Sequence, residues 1–179
     1  GQAGTDALLF NGSAGAETFE ASANGGRVRF TRNLGNIVMD LNDVEAIDLN
    51  ALGGTDTVIV NNVTGTDLVA LNANLAGTIG GTAGDGAPDT VIVNGTNGAD
   101  TIVCGTLGCD LGGEATDVDL TWSNVENLTF TMQGGDDSFS GLGSASTGDP
   151  MTAKLTLNGK GGNDWFWGGN GANTMNGGD

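Results

Sequence analysis

The stretch "DTVIVNGTNGADTI" (residues 89–102) carries one short pattern twice, and this pattern predicts the fold. Each half has an acid, a Thr and then alternating apolar residues, which is typical of a short strand with one buried face. The Gly-x-x-Gly between the halves allows a tight turn with positive φ values. The stretch therefore predicts a strand, a Gly-rich turn, an acid at the exit of the turn, and a second strand.

The same turn recurs along the chain. Clear copies occupy residues 1–8, 12–19, 95–102 and 168–175, and looser copies occupy 51–58, 84–91, 132–139 and 159–166. The exit position holds Asp6, Glu17, Asp56, Asp89, Asp100, Asp137 and Asp164, with Asn173 in the last copy. The acids at 17/56, 56/89, 100/137 and 137/164 lie 39, 33, 37 and 27 residues apart. If each interval is one coil, the acids stack in a column that repels itself unless it binds cations.

Repeats of this kind favour stacked coils over a sandwich. We expect an all-β protein, a parallel β-solenoid of stacked short strands with Gly/Asp-rich turns. A longer duplication matches residues 6–19 with 89–102, and 44–58 with 125–139. We predict two repeat units, 1–88 and 89–153, and the start of a third segment at 154–179. Because both ends fall inside motifs, the sequence is expected to be an excerpt of a longer protein.

Composition excludes several classes of function. The net charge is −17, with 5 basic and 22 acidic residues, which disfavours nucleic acids and anionic membranes as partners. The absence of His removes His-dependent catalysis, and no Tyr is present. No apolar run approaches the roughly 20 residues of a membrane span. We therefore predict a non-enzymatic protein without membrane insertion, for which divalent cations are the obvious counter-charge.

Two local features have more than one interpretation. Residues 65–77, "GTDLVALNANLAG", read equally well as a helix or as a strand with a turn. Cys104 and Cys109 enclose four residues, two of them glycine, and a hairpin disulfide is favoured over two free thiols. Arg27, Arg29 and Arg32 are expected to pair with the protein's own carboxylates.

The last 21 residues read as "GKGGNDWFW" (159–167), "GGNGANTMN" (168–176) and "GGD" (177–179). This series resembles the nonapeptide repeat of the RTX, or haemolysin-type, calcium-binding proteins, a secreted bacterial family. The resemblance implies a parallel β-roll in which Ca²⁺ lies between successive turns, on carbonyl and carboxylate oxygens. Two departures weaken the match: Lys160 replaces a Gly, and Asn173 replaces an Asp.

The resemblance and the acid column together define the expected calcium ligands. In the nonapeptides these are Gly159, Gly161, Asp164, Gly168, Asn170, Asn173 and Asp179. In the upstream turns they are Asp56, Asp89, Asp100, Asp136 and Asp137. The competing interpretation is that the acids simply cap their turns by accepting backbone N–H groups.

Trp165 and Trp167 share one face of a predicted strand. They either cap the end of the solenoid, bury in a neighbouring protomer, or stack on sugar rings, with Trp122 as a further aromatic. The expected function is a calcium-binding structural module of a large secreted or cell-surface protein: an adhesin, matrix, surface-layer or fibre component. Self-association into fibres or binding to cell-surface glycans would follow. The alternatives are a carbohydrate-binding module and a polysaccharide-active β-helix enzyme.

Overall fold

The computed structural model describes residues 3–112 and 119–179, so Gly1 and Gln2 of the first turn copy lie outside the described residues. Within these ranges the protein is all-β: sixteen strands form two mixed sheets of eight strands, and no helix is present. No helix of the described residues is therefore long and apolar enough to cross a membrane. The all-β prediction is confirmed, and the stretch at 65–77 contains a strand, not a helix.

The chain divides into two compact units. The first comprises Gly1–Val91 with Trp122–Val125, and the second comprises Ile92–Thr121 with Glu126–Asp179. The boundaries predicted from the repeats, after residues 88 and 153, stay predictions.

The first unit contains seven complete strands. They are β1 (Ala7–Asn11), β2 (Thr18–Asn24), β3 (Arg27–Arg32), β4 (Ile37–Leu41), β5 (Ala46–Asn50), β6 (Thr57–Val60) and β7 (Ala70–Asn74). Strands β1, β5 and β7 are parallel neighbours, with Ala7, Ala46 and Ala70 in register. Strand β2 is parallel to β6. Alternate residues of β2, β5, β6 and β7 are buried, as the period-2 pattern predicts, whereas those of β1 are half-buried.

Strands β3 and β4 depart from the parallel arrangement. Strand β2 pairs antiparallel with β3, and β3 pairs antiparallel with β4. Only Gly25 and Gly26 separate β2 from β3, and a connection of two residues can join only antiparallel strands. Gly25 has a φ of 66°, which glycine adopts without strain. The Gly-Gly pair was the hairpin signal that the solenoid prediction did not use.

The second unit repeats the parallel pairing. Its complete strands are β9 (Thr101–Gly105), β10 (Gly108–Asp110), β12 (Asn127–Thr131), β13 (Ser138–Ser140), β14 (Lys154–Lys160), β15 (Trp165–Trp167) and β16 (Asn173–Gly178). Two further strands, β8 (Thr90–Asn94) and β11 (Leu120–Ser123), begin in one unit and end in the other. Strand β13 is parallel to both β9 and β15, and β14 is parallel to both β12 and β16.

Each unit has its own aromatic core. In the first, the Phe10 ring contacts Phe19 and Phe30 edge-on, with ring centroids 6.0 and 5.2 Å apart. In the second, the Phe130 and Phe139 centroids are 4.9 Å apart. All of these rings except Phe10 are fully buried. Burial of each of these side chains contributes about 1.5–3 kcal/mol to the stability of its unit.

Candidate functional site

The acids at the turn exits of the first unit form a hydrogen-bonded column. The Glu17 backbone N–H donates to Asp56 Oδ1 at 2.9 Å, and the Asp56 backbone N–H donates to Asp89 Oδ1 at 2.8 Å. These acids directly precede β2, β6 and β8. We call this set, Glu17–Asp56–Asp89, the first carboxylate column.

The second unit contains an equivalent arrangement. The Asp100 N–H donates to Asp137 Oδ1 at 2.8 Å, and the Asp137 N–H donates to Asp164 Oδ1 at 3.1 Å. These acids precede β9, β13 and β15. Asp100–Asp137–Asp164 is the second carboxylate column. The acids that meet are those whose spacings of 39, 33, 37 and 27 residues suggested stacking.

A shorter pairing of the same type precedes β1 and β5. The Asp6 backbone N–H donates to Glu45 Oε2 at 2.6 Å. The turn motif includes Asp6, but sequence reasoning missed Glu45, because no Gly-rich turn precedes it. The available signal was an acid directly before the alternating strand "AIDLN", which Asp6 also has before "ALLFN".

The first acid of each column caps its own turn. Glu17 Oε2 accepts the Ser13 N–H at 2.7 Å, and Asp100 Oδ2 accepts the Thr96 N–H at 2.8 Å. The Ser13 and Thr96 hydroxyls each lie 3.0 Å from the second carboxylate oxygen of the same acid. Glu17 also forms an ion pair with Arg32. These acids are therefore satisfied by the protein itself, as the capping interpretation expects.

The middle acids of the two columns differ from the others. Asp56 and Asp137 are buried, as Glu17 and Asp89 also are, but the Oδ2 atom of each middle acid is buried without a hydrogen-bond partner. Burial raises the pKa of Asp56 to about 7, and the negative charges of Asp89, Glu17 and Asp85 add to that effect. Burial also raises the pKa of Asp137, with additions from Asp100, Asp164 and Asp136. An isolated buried carboxylate is costly, so each of these oxygens favours a proton or a cation.

Glycine is required where an acid folds back on its turn. A Cβ built on Gly12, Gly95 or Gly159 would collide with the carboxylate of the acid five residues later and with a neighbouring backbone carbonyl. The acids concerned are Glu17, Asp100 and Asp164. The Gly at this point of the motif is thus explained by close approach and not by flexibility.

The nonapeptide residues lie in several places. Asp164 belongs to the second column, and Asn163 donates its N–H to Asp136 Oδ1 at 2.9 Å. Gly161 bonds through its backbone to Gln133 and Gly135. Asn170 donates its N–H to the Met151 carbonyl, and Asp179 donates to the Lys160 carbonyl.

The last turn holds Gly168 and Asn173 in contact with each other. Asn173 Nδ2 donates to the carbonyls of Gly169 and Gly171 at 3.0 and 2.9 Å. These are carbonyls of the type that bind Ca²⁺ in the family that the stretch resembles. In this turn the two carbonyl oxygens accept hydrogen bonds from the side-chain amide of Asn173, whose N–H groups carry the partial positive charge.

The donor chemistry of the two carboxylate columns fits a hard cation. The columns offer carboxylate oxygens, which Ca²⁺ prefers. In the part of the chain that the structure describes, no cluster of three or more His, Cys, Asp or Glu residues could hold a metal. The buried Oδ2 atoms of Asp56 and Asp137 are the unpartnered oxygens that a cation would use.

The remaining candidate residues have defined places. Cys104 and Cys109 form a disulfide across the β9–β10 hairpin, where they are register partners. Arg27 pairs with Asp40 at 2.9 Å.

Trp165 and Trp167 are exposed on β15, with ring centroids 6.0 Å apart. Asp85, which was not predicted as a ligand, accepts the Gly54 N–H at 2.6 Å, and this bond lowers its pKa.

Comparison with protein-family models, with curated proteins and with solved structures found no match to this chain.

Proposed function

We propose that this chain is a structural module of a large secreted or cell-surface repetitive protein, related to the RTX proteins that its last 21 residues resemble. In this proposal it is a parallel β-solenoid interrupted by antiparallel segments, one through β3 and β4 and one through β10. Its acidic turns lock successive coils in register and bind Ca²⁺. Adhesin, matrix, surface-layer and fibre components are the classes of protein that use such modules.

The pair of carboxylate columns carries the proposal. Each column joins the starts of three strands through bonds from the backbone of one acid to the side chain of the next. Such bonds form only when the turns are stacked one above another. Both units contain the arrangement, so stacking is a property of the repeated turn and not of one local loop.

Calcium binding is proposed on the two middle acids. Asp56 and Asp137 each keep one buried oxygen without a hydrogen-bond partner, between two further acids of their column. A net charge of −17 opposes compaction and favours any divalent cation that reaches these oxygens. Since the columns do not exist in the unfolded chain, Ca²⁺ bound there would stabilise the fold by mass action.

A structural role accounts for the acids better than catalysis does. The column carboxylates accept backbone N–H groups, and the middle ones are buried. An enzyme that hydrolyses glycosides requires two carboxyl groups facing each other across a substrate cleft. The disulfide supports an oxidising location outside the cytosol.

Thermal melting followed by circular dichroism tests the proposal. We expect millimolar Ca²⁺, relative to EGTA, to raise Tm, and Mg²⁺ at the same concentration to raise it less, because Mg²⁺ gives up its water reluctantly. A Ca²⁺ concentration of 100 times Kd would add about 2.7 kcal/mol. Asp137→Asn should reduce the gain, whereas Asp67→Asn, a change to an exposed acid outside the columns, should leave it intact.

Equal melting curves in EGTA and Ca²⁺ would refute the calcium part of the proposal. The columns would then act as hydrogen-bonded caps alone. Loss of β signal in Asp137→Asn under both conditions would show that the column is structural whether or not it binds an ion.

A further inference from the structure

The second unit carries an exposed aromatic pair that the proposed structural function does not use. Trp165 is 65% exposed and Trp167 is 47% exposed, although Trp is a residue that proteins usually bury. Their rings stack on each other, with an interplanar angle of 30° and centroids 6.0 Å apart. The pair is thus partly ordered before any ligand arrives, which lowers the entropy cost of binding.

The neighbouring strands place hydroxyl groups beside the pair. Ser138 is the register partner of Trp165, and Ser140 is the register partner of Trp167. Phe139 between them is fully buried, so both Ser residues lie on the outward face with the tryptophans. The next strand adds Thr101 in register with Ser138. Val103 of the same strand is in register with Ser140. Since strands lie about 4.8 Å apart, the surface is an aromatic ridge beside a floor roughly 10 Å wide, made of three hydroxyl-bearing side chains and one valine.

The chemistry of this surface selects its ligand. A pyranose ring has an apolar C–H face, which stacks on an indole, and a rim of hydroxyl groups, which can bond to Ser and Thr side chains. From residue 92 onward the sequence contains only two basic residues, Lys154 and Lys160, against eleven acidic ones. An anionic polysaccharide would therefore be repelled.

We propose that Trp165, Trp167, Ser138 and Ser140 form a binding surface for a neutral polysaccharide. The tryptophan rings stack on the apolar face of the sugar, and the serine hydroxyls orient the sugar by hydrogen bonding. Ser140 Oγ already accepts the Leu142 N–H at 3.3 Å, so Ser138 is the freer of the two hydroxyls toward a sugar. The inference does not depend on Ca²⁺ binding, and the experiment below is separate from the melting experiment.

Isothermal titration with oligosaccharides tests the surface. The probes are the hexasaccharides of cellulose, chitin and laminarin, with alginate as the anionic control and tetramethylammonium as the cationic control. Titrations are run in Ca²⁺ and again in EGTA, on protein whose fold has been checked by circular dichroism. We expect at least one neutral hexasaccharide to bind, with quenching or a shift of Trp fluorescence, and alginate not to bind.

Substitutions assign the binding to the surface. Trp165→Ala and Trp167→Ala should each weaken the affinity at least about tenfold, which is the scale of an interface anchor. Ser138→Ala should weaken it less while leaving the aromatic pair intact. Leu107→Ala, which removes an apolar side chain that is also exposed in the same unit but lies in the β9–β10 turn, should change nothing.

Three results would overturn the proposal. The first is no heat and no fluorescence change with any neutral hexasaccharide at millimolar concentration. The second is sugar binding that survives both Trp substitutions. The third is binding of tetramethylammonium without sugar, which would make the pair a cation site.

Discussion

At the scale of the residue, Asp56 and Asp137 show how position in a column changes the chemistry of one side chain. The acids at the column starts cap their own turns, whereas these two have acids on both sides and one oxygen without a partner. Burial raises the pKa of both, to about 7 for Asp56. A raised pKa means that the folded state holds the proton more tightly than the unfolded state does.

The first prediction concerns pH in Ca²⁺-free buffer. The two acids contribute stability that is complete below about pH 4, where both states are protonated. For Asp56 that contribution is lost as pH rises from about 4 through about 7, because the unfolded chain ionises first. Tm measured across this range should fall less in Asp56→Asn than in the parent protein. Asp67→Asn serves as the control, and an identical pH profile for Asp56→Asn and the parent would contradict the assignment.

The second prediction concerns the glycine that faces an acid. Gly159→Ala should destabilise the protein by about 1–3 kcal/mol, because the new Cβ would collide with the Asp164 carboxylate and the Gly177 carbonyl. Gly161→Ala is the matched control two residues away, since a Cβ there meets nothing within 4 Å and its φ is not positive. Urea unfolding of both variants measures the difference. Equal urea midpoints for the two variants would show that close packing does not require glycine at position 159.

At the scale of the element, short connections decide strand direction. The Gly25–Gly26 turn makes β2 and β3 antiparallel, and a two-residue turn at Thr106 and Leu107 does the same for β9 and β10. Parallel neighbours such as β9 and β13 are not joined by a short turn, because β10, β11 and β12 lie between them in the sequence. Mixed sheets therefore follow from turn length and not from a change in strand pattern.

The third prediction belongs to the β9–β10 hairpin. The Cys104–Cys109 disulfide has a sequence separation of only 5, so its constraint on the unfolded chain is small. Loop entropy sets its contribution at about 2 kcal/mol. Reduction with a phosphine should therefore lower Tm by a few degrees and leave the far-ultraviolet spectrum β-like. Complete unfolding on reduction would show that the disulfide is essential for the second unit.

At the scale of the whole molecule, repulsion between the many negative charges opposes folding. A net charge of −17 is spread over 179 residues, and the ion pairs Arg27–Asp40 and Arg32–Glu17 offset a small part of it. The remaining acids repel one another through solvent, and this repulsion is screened by salt. Stability should therefore depend on ionic strength even without a specific ion.

The fourth prediction separates screening from site binding. In EGTA, raising KCl from 10 to about 500 mM should raise Tm, because the Debye length falls well below 10 Å. Choline chloride at the same ionic strength should act equally, since screening does not depend on the identity of the cation. A Ca²⁺ effect that persists in high KCl would then report a site, whereas one that disappears would report screening alone.

Much of the local structure could be predicted from the sequence. Alternating stretches such as "TVIV" and "NLTFT" are strands in the structure, and the acid spacings indicate which turns meet. The weakly patterned strand β10 was not predicted, because it has no alternating apolar face. The bond from the Gly54 N–H to Asp85 was not predicted, because it joins two turns that lie 31 residues apart in the sequence.

By itself, therefore, the sequence determined where the strands and turns lie, since residue period and glycine placement act within a few residues. It also determined the spacing of the acids that form the two carboxylate columns. Only the tertiary structure decided that Asp56 and Asp137 are buried with one oxygen unpartnered, and that two serines lie beside the exposed Trp165 and Trp167. Burial and register are set by neighbours tens of residues away, and no local pattern contains that information.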